Sequence, residues 1–229
     1  METIFSKESN TGKNYIAFFD LDHTIINSNS GKTLIQHAYK QSLITRMDLI
    51  KGIYLSLMYR FDLKDPVKII DSIVNWLKGV SETTLNELSS EIFKNHISKS
   101  IHTEVYSEIN FHKTKGARVV ILSSAILPIC QNVADYLGMD DVICSNLEIL
   151  NGVYTGRQSV PLCFGVEKVT RLIEYCNKNC INPMDSWYYG DSISDLAVLS
   201  SVGNPVCVNP DRKLKKTAQK RGWKILHWH

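Results

Sequence analysis

From residue 118 onward, short apolar runs alternate with stretches of helical periodicity, and this alternation constrains the fold more than any other feature. Residues 118–122 (Arg-Val-Val-Ile-Leu) and 141–145 read as buried strands, and 187–189, 205–208 and 224–226 follow. Helical patterns separate them: over 127–137 with Gly138 closing it, over 166–176, and from Leu196. Parallel strands need a crossover of a dozen or more residues, and a helix supplies it. Residues 15–19 (Tyr-Ile-Ala-Phe-Phe) add an earlier buried strand. The fold class predicted is α/β: a three-layer α/β/α, Rossmann-like core with a parallel sheet and helices on both faces. Residues 148–157 interrupt the alternation, and Asn151-Gly152 marks a hairpin there.

Between the first and second strands the pattern is helical. Leu43, Met47, Ile50, Tyr54, Leu57, Met58 and Phe61 recur at helical spacing. Asp65-Pro66 is a good helix start, followed by a stripe of Val67, Ile70, Ile73, Val74 and Leu77 that Gly79 closes. Leu85, Leu88 and Ile92 predict another helix, and Val105, Ile109 and His112 a further one. The chain therefore divides into a core of residues 1–28 and 111–229 and an inserted all-helical domain of residues 29–110. The stripe over 43–61 reads as the inserted domain's own core; a sharper reading is a seat for an apolar ligand or a membrane surface.

The net charge of +3 over 229 residues makes no strong field for nucleic acid. The basic cluster from Arg212 to Arg221 reads as a solvated helix face. None of the six cysteines forms a Cys-x-x-Cys pair, which suits reduced thiols in a cytoplasmic protein. The first 14 residues are polar, with no apolar signal segment, and no run approaches a membrane span.

The chemistry gathers at strand ends. Asp20 and Asp22 follow the first strand at alternate positions, so their carboxylates point the same way and repel unless a cation or a proton intervenes. A hard divalent ion such as magnesium takes oxygen ligands. An Asp-rich turn is the structural alternative. Ser123-Ser124 follows the second strand, where a hydroxyl and the amides of a helix start make either an anion pocket or a plain helix cap. Lys168 sits in a helix's first turn, unfavourably to the helix dipole. Gly190-Asp191-Ser192-Ile193-Ser194-Asp195 follows a further strand; Asp195 fits a capping box with Ser192, but capping does not explain Asp191.

Asp20-Leu21-Asp22-His23-Thr24, Ser123, Lys168 and Gly190 to Asp195, in that order, resemble the four motifs of the haloacid dehalogenase superfamily. The hairpin Asn151 to Gly156 and Asn209-Pro210-Asp211 resemble its phosphoserine-phosphatase-like subclass. The resemblance implies a phosphomonoesterase with Asp20 as nucleophile and Asp22 as acid and base. It implies magnesium on Asp20, Asp22 (through its backbone carbonyl) and Asp191, with Asp195 ordering the waters or the lysine. Ser123 and Lys168 would hold the phosphoryl oxygens. The insertion resembles a C1 cap, implying a small phosphate ester as substrate, with Ser124, Asn27 and Asn29 as candidate pocket residues. No nucleic-acid partner and no stable membrane insertion are expected, and the chain would be a monomer or a homodimer. Residues 25–32 lack the carboxylate that phosphoserine enzymes place there, which weighs against phosphoserine. Relatives of the subclass act on histidinol phosphate or on phosphatidylglycerophosphate. A phospho-accepting signalling domain is a competing reading that also uses acids, a hydroxyl and a lysine.

Overall fold

The computed structural model describes residues 15–50, 54 and 74–229. The described strands are β1 (Ile16–Phe19), β2 (Arg118–Ile126), β3 (Asp141–Ser145), β4 (Leu147–Leu150), β5 (Val153–Gln158), β6 (Trp187–Gly190), β7 (Asn204–Val208) and β8 (Lys224–Leu226). Six of them form one sheet in the order β3-β2-β1-β6-β7-β8, and every pairing in it is parallel. The chain leaves β1 towards β2 and β3, then returns to the other side of β1 as β6. The order thus reverses between β1 and β6, and that switch opens a crevice at the strands' carboxyl ends.

All of β1 is buried, and its side chains alternate between two apolar clusters. Ala17 and Phe19 join Val119, Ile121, Tyr189 and Val206 on one face; Ile16 and Phe18 join Val120, Leu122, Tyr188 and Cys207 on the other. Burial on both faces explains why these strands read as continuous apolar runs. Helices that lie wholly among the described residues are α1 (Ser30–Lys40), α2 (Glu82–Ile92), α3 (Thr103–Thr114), α4 (Leu127–Leu137), α5 (Val166–Lys178), a single turn α6 (Leu196–Leu199) and α7 (Arg212–Arg221). Several follow their predicted signals. Leu85, Leu88 and Ile92 are buried on α2, as are Val105, Ile109 and His112 on α3. Pro128 opens α4 and Gly138 closes it at φ 62°.

Two features depart from the sequence reading. β2 runs past its expected end at Leu122 to Ile126, which still pairs with Ser145, whereas α4 begins at Leu127 as expected. Ser123 and Ser124 are therefore extended residues rather than a helix start, because the sheet continues past them. The second departure lies in the insertion. The backbone of residues 79–82 adds a third, strand-like edge to the β4–β5 hairpin: Gly79 donates to the Tyr154 carbonyl, Tyr154 to Val80 and Glu82 to Gly152. The insertion is thus not built of helices alone. The hairpin turns on Asn151 and Gly152 at φ 53° and 74°, the left-handed pair a two-residue turn requires.

The two ends of the insertion meet at its base. Ile26 bridges Ile101, the Asn27 amide donates to the Ser100 carbonyl, and the His102 amide donates to the Ile25 carbonyl. The division expected after residue 110 falls inside α3, whose His112 packs edge-on against Phe19 of β1. Of the predicted stripe over 43–61, Leu43 packs against the core, whereas Met47, Ile50 and Tyr54 are exposed at 74, 53 and 52%. Leu57, Met58, Phe61 and the helix start at Asp65-Pro66 lie outside the described residues.

Candidate active site

Strand register delivers the acidic residues to one edge. Phe19 stands opposite Ile121 and Tyr189, so Asp20 and Asp191 emerge at the carboxyl ends of β1 and β6, and Ser123, within β2, lies alongside them. The Asp20 amide still donates to the Tyr189 carbonyl at 3.0 Å, which pins the nucleophile candidate to β6.

Lys168 joins these strand ends from the first turn of α5. It is 2% exposed, and its ammonium donates to Asp20 Oδ1 at 3.0 Å, to Asp195 Oδ1 at 2.9 Å and to the Tyr188 hydroxyl at 3.0 Å. Tyr188 in turn donates to Asp195 Oδ1 at 3.0 Å. A buried lysine is tolerable only when paired. Burial alone would lower its pKa, but Asp195 and Asp20 outweigh that and hold it well above the usual lysine value. The capping role for Asp195 does not occur: Ser192 makes no side-chain cap, and the Asp195 carboxylate faces Lys168.

Carboxylate oxygens of Asp20, Asp191 and Asp195 lie within 4.8 Å of one another. Burial raises the pKa of Asp20 despite Lys168, and burial with Asp195 and Asp20 alongside raises Asp191 well above the usual range. Three carboxylates thus share one ammonium, an excess of negative charge that a hard divalent cation would relieve. The donor set, all oxygen, fits magnesium.

The Asp22 side chain is not part of that trio. Its Oδ1 accepts the Ser30 amide at 2.9 Å, at the start of α1, and burial pushes its pKa up to about 7. Ser123 is buried, and its hydroxyl accepts the Ala125 amide at 3.3 Å. Ser124 is held through its carbonyl, which accepts the Ser145 hydroxyl at 2.8 Å. Asn29 caps α1, accepting the Lys32 amide at 2.8 Å, and Asn27 is exposed beside it.

Two residues of the site had no role assigned from sequence. Tyr188 sits in an aromatic strand and looks like plain core. Asp211 caps α7 through the Leu214 amide at 2.8 Å and, with its other oxygen, holds the Ile193 amide at 2.7 Å. Its own amide donates to the Asp191 carbonyl at 2.8 Å, so it braces the loop that carries two of the acids. The triplet Asn209-Pro210-Asp211 was the available signal for it.

The family model described as haloacid dehalogenase-like hydrolase matches residues 17–200. The chain belongs to the haloacid dehalogenase-like hydrolase family. It is 30% identical to an "inhibition of morphological differentiation protein" of Streptomyces azureus over 93% of this chain and 78% of that one. It is 27% identical to a histidinol-phosphatase of Neisseria meningitidis over 93% and 98% of the two chains. Among solved structures, a phospho-aspartyl intermediate analogue of phosphoserine phosphatase superposes with a TM-score of 0.70, at 16% identity over 93% and 92% of the chains. That likeness shows the three-layer fold of the family. No helix among the described residues is long and apolar enough to cross a membrane.

Proposed function

We propose that this chain is a magnesium-dependent phosphomonoester hydrolase that acts through an aspartyl-phosphate on Asp20. The observation that carries this reading is the buried cluster of Asp20, Asp191 and Asp195 around Lys168 at the sheet's switch point. Asp20, Asp191 and the Asp22 backbone carbonyl would hold the ion, which when bound would neutralise charge on the transferring phosphoryl group. An Asp20 oxygen attacks phosphorus, and the ester P–O bond breaks. Asp22, half-buried and with its pKa raised to about 7, gives its proton to the leaving alkoxide. It then takes a proton from the water that attacks the aspartyl-phosphate, and the Asp20–phosphorus bond breaks to release inorganic phosphate. Lys168 and Ser123 would steady the phosphoryl oxygens. A histidinol-phosphatase and a phosphoserine phosphatase among the similar proteins support the same chemistry.

The substrate is a small phosphorylated metabolite, covered by a cap that we place at residues 27–100 because its two ends pair at Ile26 and Ile101. A lipid-linked phosphate is a second reading, favoured by the exposed Met47, Ile50 and Tyr54 on one helical spacing. Phosphate release should be measured with magnesium across phosphoserine, histidinol phosphate, sugar phosphates, nucleotides and phosphatidylglycerophosphate. One ester should turn over strongly, and Asp20→Asn should abolish it. A variant as active as the wild type would exclude Asp20 as nucleophile.

A further inference from the structure

Lys168 is meant to reach a phosphoryl oxygen, yet its ammonium has no donor left to offer. An ammonium carries three N–H groups and no acceptor. All three are taken inside the protein, by Asp20 Oδ1 at 3.0 Å, Asp195 Oδ1 at 2.9 Å and the Tyr188 hydroxyl at 3.0 Å. A phosphoryl oxygen can bind Lys168 only after one of these partners yields.

The three partners are not equal. Two are carboxylates, and a bond between opposite charges is the stronger kind. Tyr188 is the neutral acceptor and the easiest to displace. Its own proton already goes to Asp195 Oδ1 at 3.0 Å, so the hydroxyl keeps a partner when the lysine turns away. Its neighbour Tyr189 has no such role. It lies on the opposite face of the sheet, donating to Glu108 at 2.6 Å and bonded to His112 at 2.7 Å.

We propose that Tyr188 is a placeholder: when no phosphate is bound its hydroxyl accepts a hydrogen bond from the third Lys168 N–H, and it yields that N–H to a phosphoryl oxygen of the ester or of inorganic phosphate. Tyr188 is then a positioning residue that acts through Lys168 and competes with the ligand. It weakens phosphate binding and so favours product release. This rests on the phosphatase reading of the same site.

The test is Tyr188→Phe, which keeps the ring and removes the acceptor. In the empty variant the third N–H lacks its partner, so phosphate binding no longer requires breaking a bond. Calorimetry with inorganic phosphate, in the presence of magnesium, should show binding roughly fivefold tighter than wild type. KM for an aryl phosphate should fall in the same direction. Unchanged or weaker phosphate binding in a folded variant would overturn the proposal, because a merely structural tyrosine would alter only the melting temperature. If circular dichroism shows that the phenylalanine variant is not folded, Tyr188→Met reads the same effect with a more adaptable side chain. Wild-type protein measured alongside separates the two ideas. Turnover by wild type without tighter binding in the variant sinks the placeholder alone, whereas neither turnover nor phosphate binding by wild type sinks both.

Discussion

A methyl group at Gly190 would meet the site directly. A Cβ there would lie 2.9 Å from Asp195 Oδ2, 2.9 Å from Tyr188 Cε1 and 3.2 Å from Asp195 Cβ. Neither neighbour can retreat freely, because both are bonded to Lys168. Gly190→Ala should therefore push Asp195 off the ammonium. We expect kcat to fall about tenfold or more, since small misplacements of catalytic groups are that costly, with a lower melting temperature. Steady-state kinetics beside thermal unfolding would show it, and a wild-type rate would refute it. At this scale the acids and the lysine were legible, because polar residues at strand ends and in a first helical turn stand out against apolar runs. Tyr188 was not, because a tyrosine between Trp187 and Tyr189 is indistinguishable from core until register decides which face it takes.

The bracing role of Asp211 belongs to the element. One carboxylate caps α7 and also fixes the loop between β6 and α6. Asp211→Ala should cost about 1 kcal/mol through the lost cap alone. Releasing the Ile193 amide should also loosen the loop that carries Asp191 and Asp195. The magnesium concentration for half-maximal rate should then rise, with Asp211→Asn intermediate. A magnesium titration of each variant checks this, and an unchanged midpoint would confine Asp211 to capping. Periodicity located most helices well, since an apolar stripe reports a buried face directly. It missed the prolongation of β2 and the pairing of residues 79–82 with the hairpin. Both depend on partners distant in sequence, Ser145 and Tyr154 among them.

Two predictions concern the molecule as a whole. Because the acid trio is buried and carries excess negative charge, magnesium should stabilise the fold, by about 2.7 kcal/mol at a hundred times its dissociation constant. Thermal unfolding with and without magnesium tests this, and Asp191→Asn should lose most of the shift. The other prediction is a pH dependence from His112, which bridges Tyr15 at 3.0 Å and Tyr189 at 2.7 Å. Burial, with Lys115 and Lys224 nearby, lowers its pKa to about 4. Above the unfolded value of about 6.5 both states are neutral, and the contribution is fully present. As pH falls from there towards 4, the unfolded chain takes up a proton that the folded one refuses, and stability is lost. The advantage of wild type over His112→Gln in urea unfolding should therefore shrink across that window. A constant difference would show that His112 does not titrate this way.

Strand and helix alternation, the hairpin signal and four polar motifs in order were set by the sequence itself. Each is a local property: periodicity, turn chemistry, or a charged residue next to an apolar run. The partition of the acids was decided only by tertiary structure. Spacing alone pairs Asp20 with Asp22, but the fold turns Asp22 to the amide of Ser30 and brings Asp20 to Asp191 and Asp195 instead. The reason is geometric. Which side chains share a volume depends on how β1 and β6 register across the switch point and where α5 packs. Those contacts join residues as far apart as Asp20 and Lys168, and no local pattern contains them.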